Sequence, residues 1–225
     1  MGSLATLQSL NIGAPRSIAA KSGRTGIDKL PTAGPLTVRA PGPKGTGAGG
    51  LAGDAICDTV HHGGDDQALC AYAREDLDWW QRELEEPLRS GSFGENLTTL
   101  GIDTTAALIG ETWRIGGSAV VQVTSPRIPC STFAAWMRHT GWLKTFTRRA
   151  VPGAYLRVLT PVAIQAGDPI SIEFRPDHSV SVGLTFRALT LEPQLLGTLL
   201  DASDYLVQDV VQRVRRRQPF DLFPD

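Results

Sequence analysis

Glycine and proline divide this chain into pieces too short for a helical bundle: 24 glycines and 15 prolines punctuate 225 residues. Glycine reaches turn conformations closed to other residues, and proline fixes φ and removes a ladder donor. The pattern predicts many short strands joined by tight loops. Hydrophobic residues at 41% suffice for a core that needs no disulfides or structural metal, and charged residues at 20% argue against wholesale disorder. Lysine plus arginine number 22 and acids 23, a net charge of -1. That balance gives no global pull toward nucleic acid or an anionic membrane. No run of 18 apolar residues marks a membrane span, and Met1–Asn11 lacks the order of a secretory signal. The three cysteines, Cys57, Cys70 and Cys130, are an odd count and match no zinc spacing. A cytoplasmic, reduced protein is the expectation.

Apolar patterning places strands at Leu4–Leu10, Leu36–Arg39 and Leu51–Asp58, with loop chemistry across Lys21–Gly34. Ala40–Gly50, with five glycines and two prolines, reads as a linker or mobile loop. Beyond His61-His62-Gly63-Gly64-Asp65-Asp66, the residues Leu69, Tyr72, Ala73, Leu77, Trp80 and Leu84 recur at helical steps. They predict one helix of about five turns, capped by Asp65 or Asp66 and ended by Pro87. Glu111–Ile115 and Ser118–Thr124 flank Gly116-Gly117 as a hairpin. Ser131–Arg138 and Gly141–Arg149 predict short helices, and Ala154–Thr160, Pro169–Arg175 and Val180–Leu189 predict strands. Pro193–Leu200 and Asp204–Arg217 predict two tail helices, the second ending in four arginines that suit its C-terminal dipole. Residues 1–190 therefore form the expected β-rich domain and 191–225 a helical tail.

Cys130 is the most suggestive residue. It follows Pro126-Arg127-Ile128-Pro129, where two prolines stiffen the backbone between a strand end and a helix start. A thiol so placed, with a cation nearby, suits a nucleophile or a soft-metal ligand; the bland reading is a packing thiol. His61-His62-Gly63-Gly64 allows close backbone approach to a ligand, or else is a turn whose histidines cap the next helix. Adjacent histidines on an extended segment point opposite ways and rarely share a metal. A cysteine hydrolase using Cys130 with His62 or His139 is compatible with the order of residues. No GxSxG elbow and no P-loop lysine motif occurs.

An ordered set of motifs then narrows the reading. It contains Thr25-Gly26-Ile27-Asp28-Lys29-Leu30-Pro31, Gly53-Asp54, His61 to Ala68, Tyr72-Ala73-Arg74-Glu75, Trp79-Trp80, Phe93-Gly94-Glu95-Asn96-Leu97-Thr98, Ile109-Gly110-Glu111 and Pro126 to Cys130. Over residues 5 to 190 this resembles the MOSC-domain family, named after the C-terminal part of the molybdenum cofactor sulfurase, in its YiiM-like stand-alone bacterial branch. The resemblance implies a mainly β (α+β) fold, a mostly antiparallel β-barrel with surrounding helices. It implies a molybdenum–pterin cofactor whose metal is ligated by Cys130. Arg127, Lys29 and Arg24 would neutralise the pterin phosphate, and His62, Gly63 and Gly64 would approach the pterin. Glu95, Asn96 and Thr98 would line the pocket, with Asp66 or His62 as proton donor.

The activity implied is reduction of N-hydroxylated compounds, such as N-hydroxylated purines and amidoximes. A cofactor or sulfur carrier without turnover is the alternative. Electrons would come from an external flavin or iron–sulfur protein, because no ferredoxin-type cysteine run is present. No pyridoxal phosphate, nucleic acid or membrane partner is expected, and the protein would be a monomer or homodimer, Leu222 and Phe223 docking on the same chain or a partner. The membrane anchor of the mitochondrial relatives is not seen, and the three-helix appendage of longer YiiM-type proteins is expected to be shortened to two helices.

Overall fold

The structure is a computed structural model that describes residues 5–222. Its strands are β1 (Ala5–Gly13), β2 (Arg16–Ser17), β3 (Arg24–Thr25), β4 (Lys29–Pro31), β5 (Leu36–Thr37), β6 (Leu69–Ala73), β7 (Leu97–Leu100), β8 (Thr112–Ile115), β9 (Ala119–Pro126), β10 (Ala154–Thr160), β11 (Ala163–Ile164) and β12 (Pro169–Phe174). The helices are α1 (Arg74–Leu84), α2 (Ser131–Met137), α3 (Trp142–Arg149), α4 (Val182–Thr190) and α5 (Gln208–Arg216). Two 3-10 segments, Asp65–Gln67 and Pro193–Ala202, complete the set.

Seven strands close a barrel in the order β12-β8-β9-β10-β6-β7-β1, and β12 pairs back onto β1 through Ala5↔Ile170. Closure leaves no free edge in the ring. All neighbours are antiparallel except β6 and β7, which run parallel with Ala71 opposite Leu97. The far end of β1 carries β4 as an extra antiparallel strand, Ile12 opposite Leu30. The expected mainly β barrel with flanking helices is therefore the observed fold. Among the described residues no helix is long and apolar enough to cross a membrane.

Alternation fills the barrel. On β10, Ala154, Leu156 and Val158 are buried while Tyr155 and Arg157 face the other way. Trp113, Ile115, Val121, Val123 and Leu7 join them in one apolar cluster. A second cluster lies outside the ring, where α1, α2 and α3 meet. Trp80, Phe93, Phe133, Trp142 and Phe146 pack there mostly edge-on or tilted, with Trp80 stacked on Phe146, and with Trp80 and Phe133 each within 5.4 Å of Trp142. Truncating such a ring costs about 3–5 kcal/mol. This cluster fixes the start of α2, and with it the position of Cys130.

Four expectations need correction. The predicted helix from Asp65 begins only at Arg74; Leu69–Ala73 is strand β6. Its five residues are all buried because β7 and β10 flank it and both faces are covered. A strand buried on both faces loses its alternation and can mimic helical spacing. Asp65 and Asp66 open only the 3-10 turn and do not cap it. Val180–Leu189, read as a strand, is largely helix α4, capped by Ser181 Oγ accepting from Leu184 N at 3.1 Å. Val182, Thr185, Phe186 and Leu189 form its buried face at helical steps. Leu51–Asp58 is an irregular wall whose only ladder contact is the isolated bridge Val38↔Leu51.

The tail also differs. Its two helical segments, which follow α4, are the 3-10 stretch Pro193–Ala202, in place of a regular helix, and α5, which starts at Gln208 and not at Asp204. Leu196, Leu199, Val210 and Val214 from these segments belong to the same apolar cluster as the barrel interior. The predicted short helices Ser131–Arg138 and Gly141–Arg149, the hairpin, and the strands at Ala154–Thr160 and Pro169–Arg175 are found within a residue or so. Leu4, Phe223 and the first residues of the Met1–Asn11 segment lie outside the described residues.

Candidate functional site

One continuous cleft opens beside the barrel, an inner cavity of about 110 Å³ leading to an outer trough of about 1020 Å³. Cys57, Asp58, His62, Gln67, Cys130 and Tyr155 line both parts and so form the throat between them. The inner part is walled by Arg24, Lys29, Gly63, Cys70, Asn96 and Arg127. The outer trough adds Lys21, Lys44, Arg213 and Arg216, against the acids Asp209 and Asp221. Cations thus outnumber acids along a cleft in a nearly neutral chain, the setting an anionic ligand requires.

Cys130 sits at the N-cap of α2 with an extended backbone, and its carbonyl accepts from Ala134 N at 3.0 Å. It is half-buried and packs on the aromatic cluster. Arg127 is the most informative neighbour. The residue is 7% exposed, its guanidinium lies 3.6 Å above the Phe133 ring, and Nη1 is buried with no hydrogen-bond partner. A buried cationic donor without a partner carries a large desolvation cost that a ligand oxygen would relieve. Gln67 Oε1, at the throat, is likewise buried and unpartnered. Arg24 lines the cavity from an exposed position.

The opposite wall is fully bonded. Asp54 accepts from Lys29 Nζ, from Gly13 N at 2.8 Å and from Asn96 Nδ2 at 2.9 Å. The Lys29 and Asp54 side chains are 7% and 1% exposed, so their charges neutralise each other out of water. Asn96 Oδ1 accepts from Cys70 N at 3.2 Å, tying this wall to β6. Glu95 accepts from Gly91 N, Phe93 N and Thr98 Oγ1, at 2.5, 3.0 and 2.9 Å. Burial pushes the Glu95 carboxyl up, against those stabilising donors. Close backbone approach also shapes this wall. A Cβ on Gly26 would sit 2.3 Å from Ala55 O, so only glycine lets the two segments touch.

The histidine pair lies in a turn, where His62 N donates to Asp58 O at 3.0 Å, and not on an extended segment. Both line the outer trough; His61 is exposed and bonds Asp58 at 3.0 Å, while His62 also reaches the inner cavity. Burial lowers His62 to about 4, Arg127 and Lys44 adding to the effect and Asp58 opposing it. Burial works against the Asp58 charge, but hydrogen bonds from His61 hold its carboxyl below the usual range. Tyr155 Oη lies 3.4 Å from His62 Nδ1, and burial raises the Tyr155 phenol.

Of the residues expected at the site, Cys130, Arg127, Arg24, Lys29, His62, Gly63 and Asn96 line the cleft. Glu95 and Thr98 stand behind its wall and act through Asn11 and Asn96. Asp66 faces away, its carboxylate held by Arg157 at 3.0 Å through Nε. Gly64 abuts the glycine-rich loop, where a Cβ would meet Lys44 N at 2.9 Å. That loop is closed at its base, where Arg39 N donates to Gly50 O at 2.8 Å and Gly50 N to Ala68 O at 3.2 Å. Cys57 lines the throat, and burial raises it. Cys70 is a packing residue of β6 that also touches the inner cavity, pushed up to about 11 by burial. Leu222 lies along the trough of its own chain. Tyr155 and Gln67, which line the cleft, and Asp54, which stands behind its wall, were given no site role; the motifs Gly53-Asp54 and His61 to Ala68 contain Asp54 and Gln67, and nothing marked Tyr155. His139 stands apart, beside Glu86 at 3.4 Å, and does not reach Cys130's cleft.

A family model for the MOSC domain matches residues 58–171. The chain is 32% identical over 176 residues to YflK of Bacillus subtilis, covering 77% of this chain and 76% of that protein. It is 33% identical over 138 residues to YiiM of Escherichia coli, covering 56% of this chain and 57% of YiiM. A Gibberella moniliformis protein named reductase is 29% identical over 182 residues, of which this chain spans 32% of the length. The crystal structure of YiiM from Geobacillus stearothermophilus superposes with a TM-score of 0.76 at 26% identity, covering 95% of this chain and 98% of that one. The Escherichia coli YiiM structure shares the fold, with a TM-score of 0.72 at 22% identity over 96% and 93%.

Proposed function

The chain belongs to the MOSC-domain family, and from that premise we propose that it is a molybdenum-cofactor reductase of N-hydroxylated compounds. The observation that carries the reading is the buried, unpartnered Nη1 of Arg127 in the same cleft as the rigidly held thiol of Cys130. Together they offer one soft ligand and one anion donor, the pair that a pterin-borne metal with a phosphate needs. Among the described residues no three His, Cys, Asp or Glu side chains converge on a metal site. Cys130 would therefore add one bond to a metal arriving with its own ligands.

In this reading Cys130 holds the metal at the throat, and Arg127 with Arg24 holds the phosphate in the inner part. Lys29 is ion-paired to Asp54 and shapes the wall instead. The bound cofactor supplies the two electrons that, with two protons, convert N–OH to N–H and water. The outer trough admits the substrate, and His62, neutral at physiological pH, faces it. The electrons come from a separate flavin or iron–sulfur protein. The fungal relative's name, reductase, supports the same reaction class.

Turnover of an amidoxime and of an N-hydroxylated purine with an artificial electron donor is the test. Amine formation that depends on molybdenum supports the reading. Stoichiometric molybdenum without turnover would instead favour a cofactor carrier.

A further inference from the structure

The hydroxyl of Tyr155 and the ring of His62 meet at the throat of the cleft, between the part walled by Arg127 and the open trough. Tyr155 lies on β10 directly opposite Cys70 of β6 and Ser125 of β9, so its ring is fixed by two strand pairings. Among the described residues, its phenol oxygen has one side-chain partner, His62 Nδ1 at 3.4 Å. A phenol carries one O–H to donate, and Nδ1 of a neutral imidazole is an acceptor when the ring proton sits on Nε2. If Nδ1 accepts, the neutral ring must carry its proton on Nε2.

We propose that Tyr155 is a positioning residue that locks His62 as the Nε2–H tautomer, so that His62 presents a fixed, uncharged hydrogen-bond donor to a ligand oxygen in the trough. Deepening the function proposed above, the ligand class is a compound with an N-bound hydroxyl, whose oxygen takes that bond. A neutral imidazole donates this hydrogen bond without surrendering the proton, because doing so would leave an imidazolate. Its surroundings agree: burial first, then Arg127, Lys44 and His61, disfavour a positive charge on the ring, against Asp58. The Tyr155 phenol keeps its own proton, since burial raises it.

The test uses the full chain, uniformly labelled with ¹⁵N, and reads the tautomer of His62 at pH 7 from long-range proton–nitrogen spectra. There are four histidines, so loss of one set of signals in His62→Gln assigns the residue. The wild type should show the Nε2–H form alone, and Tyr155→Phe should mix in the Nδ1–H form. A wild-type ring protonated on Nδ1, or one unmoved by Tyr155→Phe, overturns the proposal, and the first outcome needs no variant to fold. In the loaded enzyme, His62→Gln, whose amide nitrogen falls near Nε2, should retain turnover within about one order of magnitude. His62→Asn, whose nitrogen falls near Nδ1, should lose roughly a hundredfold in kcat. Equal losses in both variants would contradict the donor role. If the tautomer is as stated but the wild type reduces no N-hydroxylated compound, the function proposed above fails and the Tyr155–His62 pair stands.

Discussion

The two walls of the cleft use the same kinds of side chain in opposite ways. On the wall built by β1, β4 and the turn before β7, the buried polar side chains Asn11, Lys29, Glu95 and Asn96 have found partners. Asp54 takes three donors, Glu95 takes three, and Asn96 bonds in both directions. On the wall built by the end of β9 and the start of α2, Arg127 keeps a buried donor without an acceptor. Gln67 at the throat keeps a buried acceptor without a donor. A satisfied buried network specifies a shape; a partly satisfied one is costly unless something else completes it. The first wall therefore reads as scaffold and the second as the ligand-binding face.

Breaking the scaffold wall should have the largest effect on stability. Asp54→Ala leaves the buried Lys29 ammonium without its carboxylate, and should cost about 3–5 kcal/mol in urea denaturation. A loss below about 1 kcal/mol would mean the wall is not a closed network. On the other face, Arg127→Met removes an unsatisfied charge and leaves an apolar side chain over Phe133. Its unfolding free energy should change by less than about 1 kcal/mol in either direction, while cofactor retention falls at least about tenfold. Equal damage to stability and retention would erase the distinction between the walls.

The titration of His62 is a smaller test. Its folded value of about 4 lies below the ordinary 6.5, so the unfolded chain binds the extra proton first. The contribution of His62 to stability should be complete above pH 6.5 and fade as the pH falls toward 4, and its NMR shifts should stay flat down to about pH 5. A midpoint near 6.5 would place the ring in water. Asp76 gives the smallest effect. Burial, then repulsion from Asp103 and Glu75, raises it to about 6, with Arg149 offsetting only part of the cost. The cost is present above pH 6 and gone below 3.8, so Asp76→Asn should raise stability at pH 7 by up to about 1 kcal/mol. That gain should shrink as the pH falls; a constant gain would rule out the charge as its cause.

The sequence made the ligand-binding face far more legible than the scaffold. Pro126 to Cys130 announces a rigid thiol through two prolines, and resemblance to the MOSC family assigned it a use. Its neighbours α2 and α3 and the hairpin at Gly116 were also readable, because their turns are local. Errors arose where burial on two faces overrides periodicity. Leu69–Ala73 lies between two strands, and its apolar run carries no period of two. Val180, Val182, Leu184, Phe186 and Ala188 alternate like a strand, yet the Ser181 cap and the barrel's end favour helix α4. The polar pairings were the least legible part. Nothing local in Asp54 says that it will meet Lys29 and Asn96, which are 25 and 42 residues away. Asp66 was read toward the cleft, and its distant partner Arg157 takes it elsewhere.

The claim that joins these observations is that Cys130 holds a pterin-borne molybdenum at the throat. Wild type and Cys130→Ser, both purified from a host supplied with molybdate, can be compared by elemental and pterin analysis, with circular dichroism confirming that both fold. The account predicts near-stoichiometric molybdenum in the wild type and loss of the metal in Cys130→Ser. Equal molybdenum in the two proteins would contradict it.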